Sequence, residues 1–264
     1  MSSPRFASRT VVVTGAASGI GKATALRLAS DGARVACVDR NGDGAEATAR
    51  EIGPAARAYA CDIAKSAEVN ATAAKIATDL GPPDILANVA GTGDTAGLGG
   101  IETLDDERWH LVLAVNLSGA FYWCRALLPG MAARGRGAVV NVSSLAGRSK
   151  SANGGLAYSS SKAGLLGLTR HLAFDYGPKG VRVNAICPGG VDTPMIRAGG
   201  VRAASSEAEA AARAERIAAY AWFMPIKRLS TPEEQAAVIA FLASDDASYI
   251  NGVALDVNGG LYMA

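Results

Sequence analysis

The stretch T-G-A-A-S-G-I-G from Thr14 to Gly21 constrains this chain more than any other, because it joins the β-branched run Val11 to Val13 to a helical pattern carrying Leu26 and Leu28. A strand that delivers backbone N–H groups and a helix N-terminus to one point makes a cradle for a pyrophosphate, and glycine lets the backbone approach without a Cβ in the way. Gly15, Ser18, Gly19, Ile20 and Gly21 are the expected cradle. A second apolar run, Val35 to Val38, ends at Asp39. That is close to the spacing of roughly 20 residues at which a carboxylate receives the ribose hydroxyls of a dinucleotide. The competing phosphate loop G-x-x-x-x-G-K-[ST] fails: Ala16 stands where its first glycine belongs and Ala23 where its hydroxyl would hold magnesium. A kinase or NTPase is thereby disfavoured.

The same rhythm continues. Strand-like runs recur at Thr10 to Thr14, Arg34 to Asp39, Arg57 to Cys61, Ile85 to Ala87, Ala138 to Val142, Arg182 to Ile186 and Val253 to Val257. Helical patterns lie between them at Lys22 to Ser30, Asp43 to Ile52, Ser66 to Leu80, Asp106 to Ala133, Leu156 to Tyr176 and Pro232 to Ala243. Alternating β and α with continuously apolar strands predicts a doubly wound parallel sheet, a Rossmann fold, with the ligand at the carboxyl ends of the strands. The 264 residues show no Pro/Gly/Ser-rich linker, so residues 1–264 are expected to form one domain. One region breaks the rhythm. Between Pro194 and Lys227 an Ala/Glu/Arg-rich helical stretch, Ala203 to Ala219, runs into Tyr220, Trp222, Phe223 and Met224, and is read as a lid over the substrate.

A net charge of +2 with interspersed signs gives no basic stripe for nucleic acid, and no apolar run has the length of a membrane span or a signal peptide. A soluble, cytoplasmic protein is expected. Cys37, Cys61, Cys124 and Cys187 are spread singly, and His110 and His171 are the only imidazoles, so no metal site or disulfide framework is expected; Cys37, Cys61 and Cys187 read as core residues.

Tyr158 and Lys162 stand at i and i+4 in Y-S-S-S-K, on one face of a helix. A tyrosine ionises near pH 10, and lowering it by about three units takes roughly 4 kcal/mol, within reach of a nearby cation in a dry cleft. Ser143 and Ser144 end the run Val139 to Val142, which can place a hydroxyl at a strand's carboxyl end, where a carbonyl oxygen would lie.

This arrangement, with Asn116 in A-V-N-L-S-G, resembles the classical short-chain dehydrogenase/reductase family over nearly the whole chain. The motifs are T-G-A-A-S-G-I-G, Asp62 in C-D-I, N-V-A-G at Asn88 to Gly91, Asn116, N-V-S-S at Asn141 to Ser144, Y-S-S-S-K, P-G-G-V-D-T-P at Pro188 to Pro194, and V-N-G-G at Val257 to Gly260. The resemblance implies that Ser144 holds the substrate oxygen, Tyr158 is the acid/base, Lys162 binds the nicotinamide ribose and depresses the tyrosine pKa, and Asn116 positions a water. It gives Asp62 and Ile63 the adenine, Asn88, Ala90 and Gly91 the sheet and cofactor edge, and Pro188, Gly189, Val191 and Thr193 the nicotinamide side. Val89 replaces the second Asn of the commoner N-N-A-G, and Arg40 follows Asp39, where a basic residue meets the 2′-phosphate in NADP-dependent relatives. Because the Asp39 carboxylate repels that phosphate, NAD is expected over NADP.

The expected activity is hydride transfer between NAD(H) and a secondary alcohol or ketone. Alternatives are a 3-oxoacyl-thioester reductase, with Arg148, Lys150, Arg197 and Arg202 at the cleft mouth, and a non-catalytic NAD-binding sensor; a serine hydrolase lacks its G-x-S-x-G elbow. The stretch Trp109 to Leu128 is apolar around most of its circumference, and Leu156 to Tyr176 is similarly rich, so an oligomer pairing these helices is expected, a homotetramer or homodimer.

Overall fold

The seven apolar runs become the strands of one parallel sheet: β1 Thr10–Thr14, β2 Arg34–Asp39, β3 Ala56–Ala60, β4 Ile85–Asn88, β5 Gly137–Val142, β6 Val181–Pro188 and β7 Ala254–Val257. Their order is β3-β2-β1-β4-β5-β6-β7 in a computed structural model that describes residues 4–93, 100–150, 154–197 and 206–263. Every ladder is parallel, with Val13 opposite Cys37 on one side of β1 and Ala87 on the other.

Period-two alternation sends β1 side chains to both faces, and both are buried. Val11 and Val13 join the layer that holds Leu28, Ile239 and Leu242. Val12 joins the opposite layer with Ile76, Trp123, Leu128 and Met131. The first layer is covered by α1 (Gly19–Ser30), α2 (Gly42–Ile52) and α9 (Pro232–Ala243); the second by α3 (Ser66–Leu80), α5 (Gly119–Ala133) and α6 (Leu156–Tyr176). The chain forms a single domain.

Local chemistry sets the helix starts. Thr231 and Glu234 form a reciprocal capping box at α9: the Thr231 hydroxyl accepts from the Glu234 N–H, and the Glu234 carboxylate accepts from the Thr231 N–H, with Pro232 in the first turn. Asn41 caps α2, accepting from the Gly44 N–H. The expected helix from Asp106 to Ala133 forms as α4 (Asp106–Leu113), a π-turn at Ala114–Ser118, and α5. This stretch of 28 residues has the length and hydropathy of a bilayer span, yet it packs against the sheet, α3 and α6. Beyond β6 come α7 (Pro194–Arg197) and α8 (Glu207–Phe223), so the helix expected from Ala203 lies four residues further on; residues 198–205 of that region, Arg202 among them, are outside the described residues.

β1 lies at the point where strand order reverses, between β2 and β4. Crevices open at such a point, beyond the carboxyl ends of the strands.

Candidate active site

A cleft of about 360 Å³ opens there, lined by Gly15, Ser18, Gly19, Ile20, Gly21, Asp39, Arg40, Asp62, Ile63, Ala90, Gly91 and Thr193. Sequence segments up to 178 residues apart, from Gly15 to Thr193, thus meet at one crevice. The cradle fits a pyrophosphate because it has no room for side chains. A Cβ on Gly21 would stand 2.0 Å from the Gly15 carbonyl oxygen, and one on Gly15, whose φ is +73°, would stand 2.9 Å from the Ala90 Cα. The helix N-terminus of α1 points its N–H groups at the same place.

Asp39 is fixed before any ligand arrives. Its Oδ2 accepts from the Ala17 N–H at 3.0 Å and its Oδ1 from the Asn41 N–H at 2.9 Å, so the carboxylate joins the phosphate loop to the start of α2. Thr14 makes the matching tie on the other side: its Oγ1 accepts from the N–H groups of Val89 and Ala90 at 3.0 and 3.1 Å. The loop uses the Val89 backbone while the side chain packs into the core, which explains why valine serves where the family commonly has asparagine. Asn88 lies behind the cleft, donating to Asn141 Oδ1 at 2.9 Å across the β4–β5 ladder.

Gly91 connects the cleft to a second cluster. A Cβ there would lie 3.3 Å from Asn116 Oδ1 and 3.4 Å from Lys162 Nζ. Asn116 sits in the π-turn, and the extra residue of that turn aims its amide inward. Its Oδ1 accepts from the Thr92 N–H at 2.8 Å; its Nδ2 donates to the Thr92 carbonyl and to Ser161 Oγ, each at 3.0 Å. Lys162 Nζ donates to the Val142 carbonyl at 2.7 Å and lies 5.7 Å from the centre of the Tyr158 ring. The two serine hydroxyls meet different partners. Ser143 is buried, its hydroxyl donating to the Lys162 carbonyl at 2.8 Å, whereas the Ser144 hydroxyl caps the turn Leu145–Gly147, accepting from the Ala146 N–H at 3.1 Å, on the side of the Tyr158 phenol.

The electrostatics correct one expectation. Burial raises the Tyr158 phenol above its ordinary value, and the Ser144 hydroxyl is what pulls it back. Lys162 is not among the groups that govern the phenol in the chain itself, and burial lowers its own ammonium to about 8. Burial drives the thiols of Cys37 and Cys124 up to about 12, consistent with packing rather than reactivity.

Pro188 and Gly189 end β6, a Cβ on Gly189 meeting the Asn258 backbone at 3.0 Å, and Val191 bridges to Ser230. The sequence reading missed the far wall of the cleft, formed by Arg108, Leu111 and Val115. Their i, i+3, i+7 spacing was the available signal, since it places all three on one helical face. Arg108 also donates to the Gly93 carbonyl. Among the described residues no cluster of His, Cys, Asp and Glu could hold a metal ion.

A family model described as enoyl-(acyl carrier protein) reductase matches residues 15–262. The chain is 40% identical to D-threitol dehydrogenase of Mycolicibacterium smegmatis, over 97% of this chain and 94% of that one. It is 38% identical to acetoacetyl-CoA reductase of Rhizobium meliloti, over 97% of this chain and all of that one. The fold superposes with a TM-score of 0.87 and 33% identity on a crystal structure titled ribose-5-phosphate isomerase from Brucella melitensis, covering 100% of this chain and 96% of that one. A glycine cradle at the sheet's switch point, a Ser144–Tyr158–Lys162 cluster joined to it through Gly91, and relatives that match end to end place this chain, an oxidoreductase, in the short-chain dehydrogenase/reductase family.

Proposed function

We propose that the chain is an NAD-dependent dehydrogenase of secondary alcohols, or reductase of the corresponding ketones, with Tyr158 as acid/base. The observation that carries this reading is the placement of Lys162: its Nζ lies 5.7 Å from the centre of the Tyr158 ring and 3.4 Å from where a Cβ on Gly91, a residue of the cleft lining, would stand. A nicotinamide cofactor, when bound, accepts or supplies the hydride. Gly15, Ser18, Gly19, Ile20 and Gly21 hold its pyrophosphate; Asp39 takes the adenosine ribose; Asp62 and Ile63 flank the adenine. Ala90, Gly91 and Thr193 line the nicotinamide side, with Asn88, Pro188, Gly189 and Val191 bracing it. The phenol of Tyr158 exchanges a proton with the substrate oxygen, which the Ser144 hydroxyl also holds. Lys162 orients the nicotinamide ribose, and Asn116 anchors the π-turn against Thr92 at the proton exit. Pro194 and Met195 border the cleft and begin the proposed lid. Four buried free thiols suit a reducing, cytoplasmic setting.

A panel of D-threitol, cyclohexanol and 2-butanol with NAD, followed by nicotinamide absorbance, tests the reading; failure to oxidise any secondary alcohol would count against it. The thioester alternative finds support in the acetoacetyl-CoA reductase relative. Two of the four cations expected to serve it are engaged elsewhere: Arg197 pairs with Asp192 at 2.7 Å, and Arg148 turns toward β7. Acetoacetyl-CoA with NADH or NADPH is the arm of the panel that decides between them.

Asp39 provides a cofactor test. Asp39→Ala removes a carboxylate that repels a 2′-phosphate and leaves Arg40 beside the opening, so the ratio of NADP to NAD affinity should rise by about tenfold or more. A parent enzyme that already prefers NADP would overturn this assignment.

Assembly is proposed as a homotetramer or homodimer. Phe121 on α5 is 41% exposed and Phe174 on α6 is 84% exposed, and Leu255 projects from the edge strand β7. Large apolar side chains on two adjacent helices and a bare sheet edge are surfaces that self-association covers. Light scattering at micromolar concentration should give a multiple of 26.8 kDa; a mass of one chain would refute it.

A further inference from the structure

Arg148, a cation expected at the cleft mouth, is turned by the fold in another direction. It immediately follows the turn Leu145–Gly147 that Ser144 caps, and its own N–H donates to the Leu145 carbonyl at 2.9 Å. From there the guanidinium reaches the last strand. Nη1 donates to the Ala254 carbonyl at 2.7 Å and stands 3.6 Å from the Asp256 carboxylate. The same group lies over the Tyr262 ring, 5.2 Å from its centre. Both ion-pair partners are mostly covered, at 21% and 23% side-chain exposure, so water screens this pair less than an open surface pair.

The tail that carries Tyr262 is itself clipped in place. Asn258 Oδ1 accepts from the N–H groups of Gly260 and Tyr262 at 3.0 and 3.4 Å, and its Nδ2 donates to the Tyr262 carbonyl at 3.2 Å. On its other side the turn rests on α6: a Cβ on Gly147 would come 2.7 Å from the Lys162 carbonyl. The turn is therefore held between the helix that carries Tyr158 and a three-point tether to the chain's end.

We propose that Arg148 is a positioning residue, tying the turn that carries Ser144 to β7 and the C-terminal tail so that the tail sets where the serine hydroxyl stands relative to Tyr158. This rests on the catalytic reading of Ser144 and Tyr158 given above. The tether lies outside the cofactor cleft, whose lining does not include Arg148, Asp256 or Tyr262. Cutting it loosens the serine and leaves the cradle intact.

The test uses the full chain and the panel alcohol it oxidises fastest. In Arg148→Met, hydrogen exchange at the Ala146 amide, which the Ser144 hydroxyl accepts from at 3.1 Å, should quicken by about tenfold. Turnover should fall by about tenfold with KM for NAD unchanged, since a small misplacement of a catalytic group is costly in kcat. Arg148→Lys should recover part of the loss, keeping the charge without the fork. Tyr262→Leu, a change in the tail that leaves the core untouched, should shift exchange and turnover in the same direction and keeps the test open if Arg148→Met does not fold. In a Ser144→Ala background the Arg148 substitution should cost no further turnover. Parent-like exchange and turnover in both Arg148→Met and Tyr262→Leu would overturn the proposal, as would a full additional loss on top of Ser144→Ala. If Ser144→Ala turns over like the parent, or no alcohol is oxidised, the catalytic reading falls instead, and the exchange result alone decides whether Arg148 holds the turn.

Discussion

Tyr158→Phe should retain NAD binding and lose turnover by at least about a hundredfold, the contribution of a positioned acid/base. The substitution is close to isosteric. The ring keeps its place 5.7 Å from Lys162 Nζ, and the cofactor cleft keeps its lining. What disappears is the hydroxyl proposed to exchange a proton with the substrate oxygen, which the Ser144 hydroxyl favours in its ionised form. Fluorescence titration with NADH separates binding from turnover. A variant keeping more than about a tenth of the parental rate would remove Tyr158 from the acid/base role, since general acid–base catalysis rarely contributes so little.

Gly21→Ala should damage cofactor binding more than any single side-chain deletion in the cleft. The added Cβ would lie 2.0 Å from the Gly15 oxygen and 3.1 Å from the Ala16 nitrogen, and both are backbone. Neither can rotate away as a side chain can, so the turn itself must open. Overpacking of this kind costs about 1–3 kcal/mol of stability. The effect on the ligand is larger, because the N–H groups that face the pyrophosphate belong to the segment that shifts, and we expect at least about a hundredfold loss of NAD affinity through lost preorganisation. Calorimetric titration with NAD reads the affinity and urea unfolding reads the stability. Parental affinity in a folded Gly21→Ala variant would show that the loop is only a tight turn.

The sequence by itself determined the layout. Apolar runs and helical periodicity located all seven strands and the helices that cover them, because the inner strands of a covered parallel sheet are buried on both faces and so read as continuous apolar runs. Boundaries moved by a few residues, as at α1, which starts at Gly19 inside the glycine loop. Spacing along the chain also paired Tyr158 with Lys162 and Asp39 with the glycines, since each is a relation within about one helix turn or one βαβ unit.

Only the tertiary structure decided the rest. Arg108, Leu111 and Val115 line the cleft together with the glycine loop, and their spacing puts them on one face without saying what that face meets. The π-turn Ala114–Ser118 holds Asn116 against Thr92, although an unbroken helix would satisfy the same sequence pattern. The Tyr158 phenol follows burial and the Ser144 hydroxyl more than the lysine one turn away, because desolvation depends on everything packed around a group and not on its neighbours in sequence. Arg148 is the clearest case. Its place beside Ser144 suggested an open cation at the cleft mouth, yet its partners Ala254, Asp256 and Tyr262 come from the last strand and the tail, more than 100 positions further along the chain. Which residue meets a long flexible cation is settled when distant segments fold together, and it is that closure which fixes the geometry of the site.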